Sequence, residues 1–585
     1  MLPIRNGDYL REEVSPQDTC RIQTVVGVEN PRKVLANSPP EQPCPGWWVP
    51  VLLALPALIP LINSLVVARL NGLVATGFIQ VDQPSYLASA RNYFDQGFHL
   101  LYGNPYAGYD TPRIYFQPQF FLLGCLQQLG LDPGITWTIG SALGGLFAAF
   151  VAVRFYCEAV GWQGLVRKLG LLCFFWGGGI LTLVGLVYAA IVGRFNAFTI
   201  LHFDLGRGWW MLNFGRNLVY APTEAYYHGV FLLCMLLLLR RHFGAAIAVA
   251  ALLSASHPYT GVEGSLIVMV YLAMERMLGD TSVKPFHIAL SAALFLTHIG
   301  YYMFFLSRFA AHRVLESQIK AKGAGWTYPP STFLPALAIV GVLTLVTFWQ
   351  QQGFQGVVRD PRRRLFLVWF VVVFGLTQHN LIMKPIQPIH FAHGYDWMAL
   401  FFLGAPTLWI LLERLRNLDA SWLRVLAISA LIVLFLSDNI FWFATFLRPN
   451  TSEAVNITRE QKEVLDWLGH RAVPPDMVVT ADEMIGYLVS TYTRVRSWAG
   501  YGTGTPNFAE RTRESQQAFR EEVILPAWET MHVFYVQRLP EDARWTPPAD
   551  AREVFRDRRY SIWDSPAGMK ELTPQMSNES ARKSR

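Results

Sequence analysis

Asp82, Tyr86, Arg91 and Asp95 stand at roughly helical spacing in the stretch GFIQVDQPSYLASARNYFDQG, residues 77–97, directly after the first long apolar run. A carboxylate, a phenol and a guanidinium on one short amphipathic segment can take a proton from a hydroxyl and hold an anion. Asp82 is the best-placed acid for proton abstraction. The alternative is that it only caps the helix that follows, as Asp before a helical run often does.

Three further stretches carry similar chemistry. Asp110 and Arg113 continue the first segment in NPYAGYDTPR, and a later loop gathers His202, Asp204, Arg207, Arg216 and Glu224 beside Trp209, Trp210 and Tyr220. Forked guanidinium groups suit a phosphate, while the aromatic residues are equally explained by an interfacial belt. His257 and Glu263 interrupt apolar sequence in SHPYTGVEG. Pro and Gly break a helix there, and the two ionisable groups are expected to line a cavity. Lys384, Gln387, His390, His393 and Asp396 form the last group. The three-residue interval of His390, His393 and Asp396 permits one helical face, but no Cys partner or metalloprotease signature accompanies it, so hydrogen bonding to a phosphate or acceptor is preferred to zinc. No cofactor is assigned; a divalent metal is compatible with the chemistry, and nothing indicates one. The run GYGTGTP, residues 500–506, lacks the Lys-Ser/Thr of a phosphate-cradling loop and reads as a flexible turn.

The elements that must position these residues are membrane helices. Of 585 residues 52% are hydrophobic and only 16% charged, with mean hydropathy +0.26, against about 25% charged in soluble domains. Apolar stretches of spanning length are expected near 48–70, 135–156, 169–192, 226–240, 243–257, 261–278, 286–307, 332–349, 364–383, 397–413 and 421–446, about eleven in all. Lys and Arg collect in the amino-terminal tail and the segments near 154–168, 240–241, 275–284, 359–364 and 413–424. Those segments are therefore cytoplasmic, and the candidate residues fall on the outer face. The net charge of +7 follows from that bias, and no nucleic-acid motif accompanies it. Six cysteines give no disulfide framework.

This divides the chain into a cytoplasmic tail (1–46), a transmembrane part (47–448) with an outer loop (71–134), an extracytoplasmic α/β domain (449–575) and a disordered tail (576–585). In the α/β part, ITREQKEVLDWLGH reads as helix, and DMVVTA, RVRSWAG, HVFYV and YSIWD as strands.

The order Asp82, Tyr86, Ala90-Arg91, an extended loop and then Pro118-Gln119-Phe120-Phe121 resembles the first outer loop of the GT-C superfamily of membrane glycosyltransferases, such as protein O-mannosyltransferases and aminoarabinose transferases. The close match covers about 50 residues; the remainder agrees in architecture. The resemblance implies a polytopic fold, Asp82 as catalytic base, a polyprenyl-phosphate-linked sugar donor, and a lipid, glycan or protein acceptor. It implies residence in a membrane, in a prokaryotic inner or plasma membrane by kinship. Many relatives carry Asp-Glu where this chain has Asp82-Gln83, which counts against a second acid or a shared metal at that point. A transporter or flippase of a lipid-linked or polar solute is the alternative. It would show paired repeats and polar residues near the midplane, and no repeat is apparent.

Overall fold

The computed structural model describes residues 45–204, 212–219, 221–323, 326–350, 353–446, 455–521, 524–542 and 544–566. Nearly all of the amino-terminal tail, the carboxy-terminal tail 576–585, and Arg207, Trp209, Trp210 and Tyr220 lie outside them.

The chain enters as α1 (Trp48–Leu70), apolar on all sides and exposing Leu52, Ile62 and Leu65. After the short strand β1 (Val74–Ala75) come two juxtamembrane helices, α2 (Gln83–Arg91) and α3 (Pro118–Gln127), each started by a proline in its first turn, where the missing N–H costs nothing. The membrane part follows as α4 (Pro133–Val160), α5 (Leu165–Trp176), α6 (Leu181–Ile191), the short α7 (Phe214–Leu218), α8 (Glu224–Leu239), α9 (Phe243–Ser256), α10 (Pro258–Met277), α11 (Pro285–Arg308), α12 (Pro330–Gln350), α13 (Pro361–Thr377), α14 (Tyr395–Arg416) and α15 (Ser421–Phe446). Residues of α4, α5, α8, α9, α10, α13 and α14 close around one large core.

All eleven expected apolar segments are helical, but the expected count of spans is not established. Among the described residues six helices (α1, α4, α11, α12, α14 and α15) are long and apolar enough to cross a membrane, and α5 with α6 makes a seventh if that pair, bent by 57°, is one span. The difference has a physical reason. α8 has 16 residues and α9 has 14, roughly 24 and 21 Å of helix against about 30 Å of hydrocarbon. Most of α8 is buried by protein, so its apolarity serves the core.

The C-terminal part is an α/β region. It runs β2 (Asn456–Ile457), α16 (Arg459–Arg471), β3 (Met477–Thr480), α17 (Glu483–Tyr492), β4 (Arg496–Ser497), α18 (Phe508–Glu521), β5 (Val533–Arg538), β6 (Arg552–Arg556) and β7 (Tyr560–Ser565). Five strands form one sheet in the order β4-β3-β5-β7-β6, with β3 parallel to β4 and β5, and β7 antiparallel to β5 and β6. The four expected strands are present; β6 was not expected, because its residues are charged and mostly exposed. Asn456 sits in β2 with its side chain buried and accepting from Ser64.

This region is joined to the first loop by backbone and side chain alike. β2 pairs antiparallel with β1, Val74 opposite Ile457, and Phe78, Leu87, Tyr93, Tyr106 and Trp137 share a core with Leu465, Ile485, Leu488 and Phe534. Polar bonds add to it: Asn104 donates to the Gly504 carbonyl (2.7 Å), Tyr109 to that of Asp476 (2.9 Å), and Arg496 to that of Ala107 (2.7 Å).

Behind Tyr109, His532 lies between Asp476 (2.7 Å) and Asp564 (2.6 Å). The Asp476 hydrogen bond first, and then Asp564, outweigh burial and raise the imidazole to about 9. A group raised on folding stabilises fully below its unfolded value near 6.5 and loses that contribution as pH climbs through the folded one. Thermal melts of the full chain from pH 6 to pH 10 should therefore show a fall in Tm between about 6.5 and 9 that His532→Gln removes; parallel curves would refute the linkage.

Candidate active site

The turn before α2 is built so that the Asp82 carboxylate points away from the helix. Asp82 occupies the N-cap position with helical backbone angles, and its side chain caps nothing. The turn is closed instead by Gln83, whose amide oxygen accepts from Ile79 N–H (2.8 Å); the amide that replaces the second acid of the resembling family thus has a local structural use. The two Asp82 oxygens are taken by Gln80, through its amide N–H, and by the hydroxyl of Tyr501. Tyr487 donates to the neighbouring Val81 carbonyl.

Tyr501 is the residue that sequence reasoning missed; the run 500–506 is a turn, as expected, and it packs against the first loop. A side chain at Gly500 would come within 2.5 Å of the Tyr106 ring and one at Gly504 within 2.8 Å, so the two glycines let the loop close over that ring. Tyr501 then stacks on Tyr487, centroids 5.0 Å apart. Burial, and next the Asp82 carboxylate, hold its hydroxyl well above the usual phenol range, so it stays a neutral donor. The sequence signal was a tyrosine flanked by glycines, and nothing local linked it to a residue 419 positions away.

A second acid stands at the start of α8. Glu224 is 9% exposed and accepts from the Thr223 hydroxyl. Behind it Tyr227 stacks on His257 at 4.3 Å. His257 spends Nδ1 on capping α10, accepting from Thr260 N–H (3.2 Å). His393 packs edge-on to His257, and His390 is sandwiched between Tyr259 (4.9 Å) and Trp326 (5.2 Å). Tyr86 stacks on Phe120 and Trp137. Among the described residues no group of three His, Cys, Asp or Glu is arranged to hold a metal ion.

The other expected residues are placed elsewhere. Arg91 bonds Asp95 (3.1 Å) and the Thr491 carbonyl (3.2 Å), pinning α2 to α17. Arg113 donates to Gln96 (2.8 Å), and Asp110 is exposed. Arg216 and Asp204 form a wholly buried ion pair (2.7 Å), with the guanidinium also donating to Asn439 (2.7 Å) and the Asp438 carbonyl (3.1 Å). Glu263 is fully buried on α10 and makes no hydrogen bond among the described residues. Lys384 is exposed in the α13–α14 connection.

An apolar cavity of about 270 Å³ runs between α1, α4 and α7, walled by Leu55, Leu58, Trp137, Gly145 and Leu218. Its edge includes Gly77 and Ile79, a few residues before Asp82.

Fold and site together define an integral membrane protein with two carboxylates where its helices meet a C-terminal α/β region. No family model matches the chain, and no curated protein sequence is detectably similar to it. Among solved structures it is similar to ArnT from Cupriavidus metallidurans bound to undecaprenyl phosphate, at 12% identity and TM-score 0.46 over 88% of this chain and 98% of that one. It is also similar to the Archaeoglobus fulgidus oligosaccharyltransferase tethered with an acceptor peptide, at 11% identity and TM-score 0.42 over 82% of this chain and 68% of that one.

Proposed function

We propose that the protein is a membrane glycosyltransferase that moves a sugar from a polyprenyl-phosphate donor to a hydroxyl of a lipid, glycan or protein acceptor, with Asp82 as general base and the α/β region outside the membrane. The observation that carries this reading is a carboxylate freed from capping, oriented by Gln80 and Tyr501, and set beside an apolar cavity at the end of a membrane helix. In the reaction the acceptor oxygen bonds to the anomeric carbon from the side opposite the phosphate. The carbon–oxygen bond to the phosphate breaks, its electron pair leaves with the phosphate, and the hydroxyl proton passes to Asp82. Tyr501 and Gln80 keep the receiving oxygens aimed, and Glu224 supplies a second acceptor for the sugar or its proton.

The cavity suits the prenyl chain of the donor. A Cβ at Gly145 meets nothing closer than Ala221 at 3.9 Å, and Gly145 lines the groove, so Gly145→Leu is the variant that takes up its volume. Losing about two buried methylene contacts, at ~0.8 kcal/mol each, should raise the KM of a long-chain donor about tenfold and leave that of a two-isoprene analogue unchanged. Equal effects on both would place the chain elsewhere.

The reading itself is tested with purified protein in lipid nanodiscs, radiolabelled polyprenyl-phosphate sugars and a membrane extract. Label should move to an extractable acceptor. Failure of every donor, with solute uptake once the protein is in liposomes, would make it a transporter.

A further inference from the structure

The α/β region contains a crevice that the reaction at Asp82 does not use. β3 is the middle strand of the parallel trio β4-β3-β5. The chain leaves it through α17 to reach β4 on one side and returns through α18 to reach β5 on the other. Alternation along β3 agrees: Val478 joins Ile485 and Leu488 of α17 in one cluster, while Met477 and Val479 join Ala518 and Phe519 of α18 in another. The two helices therefore cover opposite faces. Such a reversal parts the connections at the carboxyl ends of the strands, the place where α/β sheets hold ligands.

The gap is walled by Thr480 at the end of β3, Glu483 beyond it, Gly500 after β4, and Phe508, Thr512 and Ser515 of α18. Those last three are four and three residues apart and form one helical stripe. Ser515 is 2% exposed, and neither its hydroxyl nor that of Thr512 has a hydrogen-bond partner among the described residues. Buried hydroxyls are rarely left so, and these two line a space of about 10 Å³, the size of one small polar group. Phe508 is half-buried beside them, and among the described residues the only charged wall is the exposed Glu483. Two inner hydroxyls, an aromatic ring and a carboxylate match a neutral sugar, whose CH face rests on a ring while its hydroxyls exchange hydrogen bonds. An anion finds no cation among these walls.

We infer that this crevice is a glycan-binding subsite that takes the hydroxymethyl arm of a neutral hexopyranose between Thr512 and Ser515, with the sugar ring against Phe508. Gly500 borders the crevice, and the next residue, Tyr501, holds Asp82. The subsite therefore favours a glycan among the three acceptor classes, a consequence that rests on the transferase reading; the binding does not.

The test uses full-length protein in nanodiscs and saturation-transfer NMR with methyl α-D-glucopyranoside, methyl α-D-mannopyranoside, and methyl β-D-xylopyranoside, which lacks the hydroxymethyl arm. At least one hexoside should give a signal fivefold or more above the xyloside. Ser515→Ala, which removes one unpaired oxygen, and Phe508→Ala should each cut it at least fivefold, and Asp82→Asn should leave it intact. No hexoside signal, an equal xyloside signal, or a signal lost in Asp82→Asn but kept in Ser515→Ala would overturn the subsite, the first being the result if the space holds only water. Binding without any transfer would instead sink the transferase reading and leave the subsite standing.

Discussion

Asp82→Asn should lower kcat for sugar transfer by about 10²- to 10⁴-fold, the usual contribution of a general base, equivalent to roughly 3–5 kcal/mol of barrier. The substitution is close to isosteric. The Asn oxygen still accepts from Tyr501, while the Gln80 amide stays fixed by the residue 82 backbone N–H, so only the bond from the Gln80 NH₂ is lost. Donor KM should therefore hold and stability fall by no more than about one hydrogen bond, ~1 kcal/mol, while turnover collapses, the pattern of an interaction made in the transition state. Tyr501→Phe keeps the base and loses only its orientation, so a fall of about tenfold is expected, near one hydrogen bond's net worth. Transfer by Asp82→Asn at the wild-type rate would remove Asp82 from the chemistry and direct attention to Glu224.

Arg216→Met should cost about 3–5 kcal/mol of stability, because it strands the buried Asp204 carboxylate without its partner. The guanidinium also lies over the Trp442 ring at 5.0 Å, and Met keeps much of that packing. Adding Asp204→Asn should recover part of the loss, since the stranded charge is then gone; this separates charge from volume. The measurement is the Tm of the single and double variants in one detergent. If Arg216→Met keeps its Tm and raises donor KM instead, the arginine serves a donor phosphate, as its sequence context suggested.

The part of the site that was legible is the part encoded locally. A polar, helically spaced segment straight after an apolar run marks a boundary, and Asp82 with its turn could be found from that alone. Glu224 was visible only as one charge among several in its loop, because its burial at the start of α8 is set by the packing of the helices around it. Tyr501 was hidden for the same reason at greater range. Arg216 shows the opposite error: residue type suggested a phosphate, while the fold commits the side chain to Asp204, Asn439 and a backbone carbonyl. The helices were legible and the number of spans was not, since hydropathy alone does not separate a helix buried in protein, such as α8, from one facing lipid.

The small pairing of β1 with β2 constrains the membrane path. β1 follows α1 by a few residues, and β2 lies shortly beyond α15, so the exit of the first span and the exit of the last share one side of the bilayer. With α1 and α15 as the first and last of the candidate spans, the crossings between those exits come in an even number and the total is odd; six candidates do not meet that parity, and seven, with bent α5–α6 counted as one, do. Two strands of two residues each thus act as a counting rule for the whole membrane path: any topology drawn for this chain with an even number of crossings would have to pull them apart.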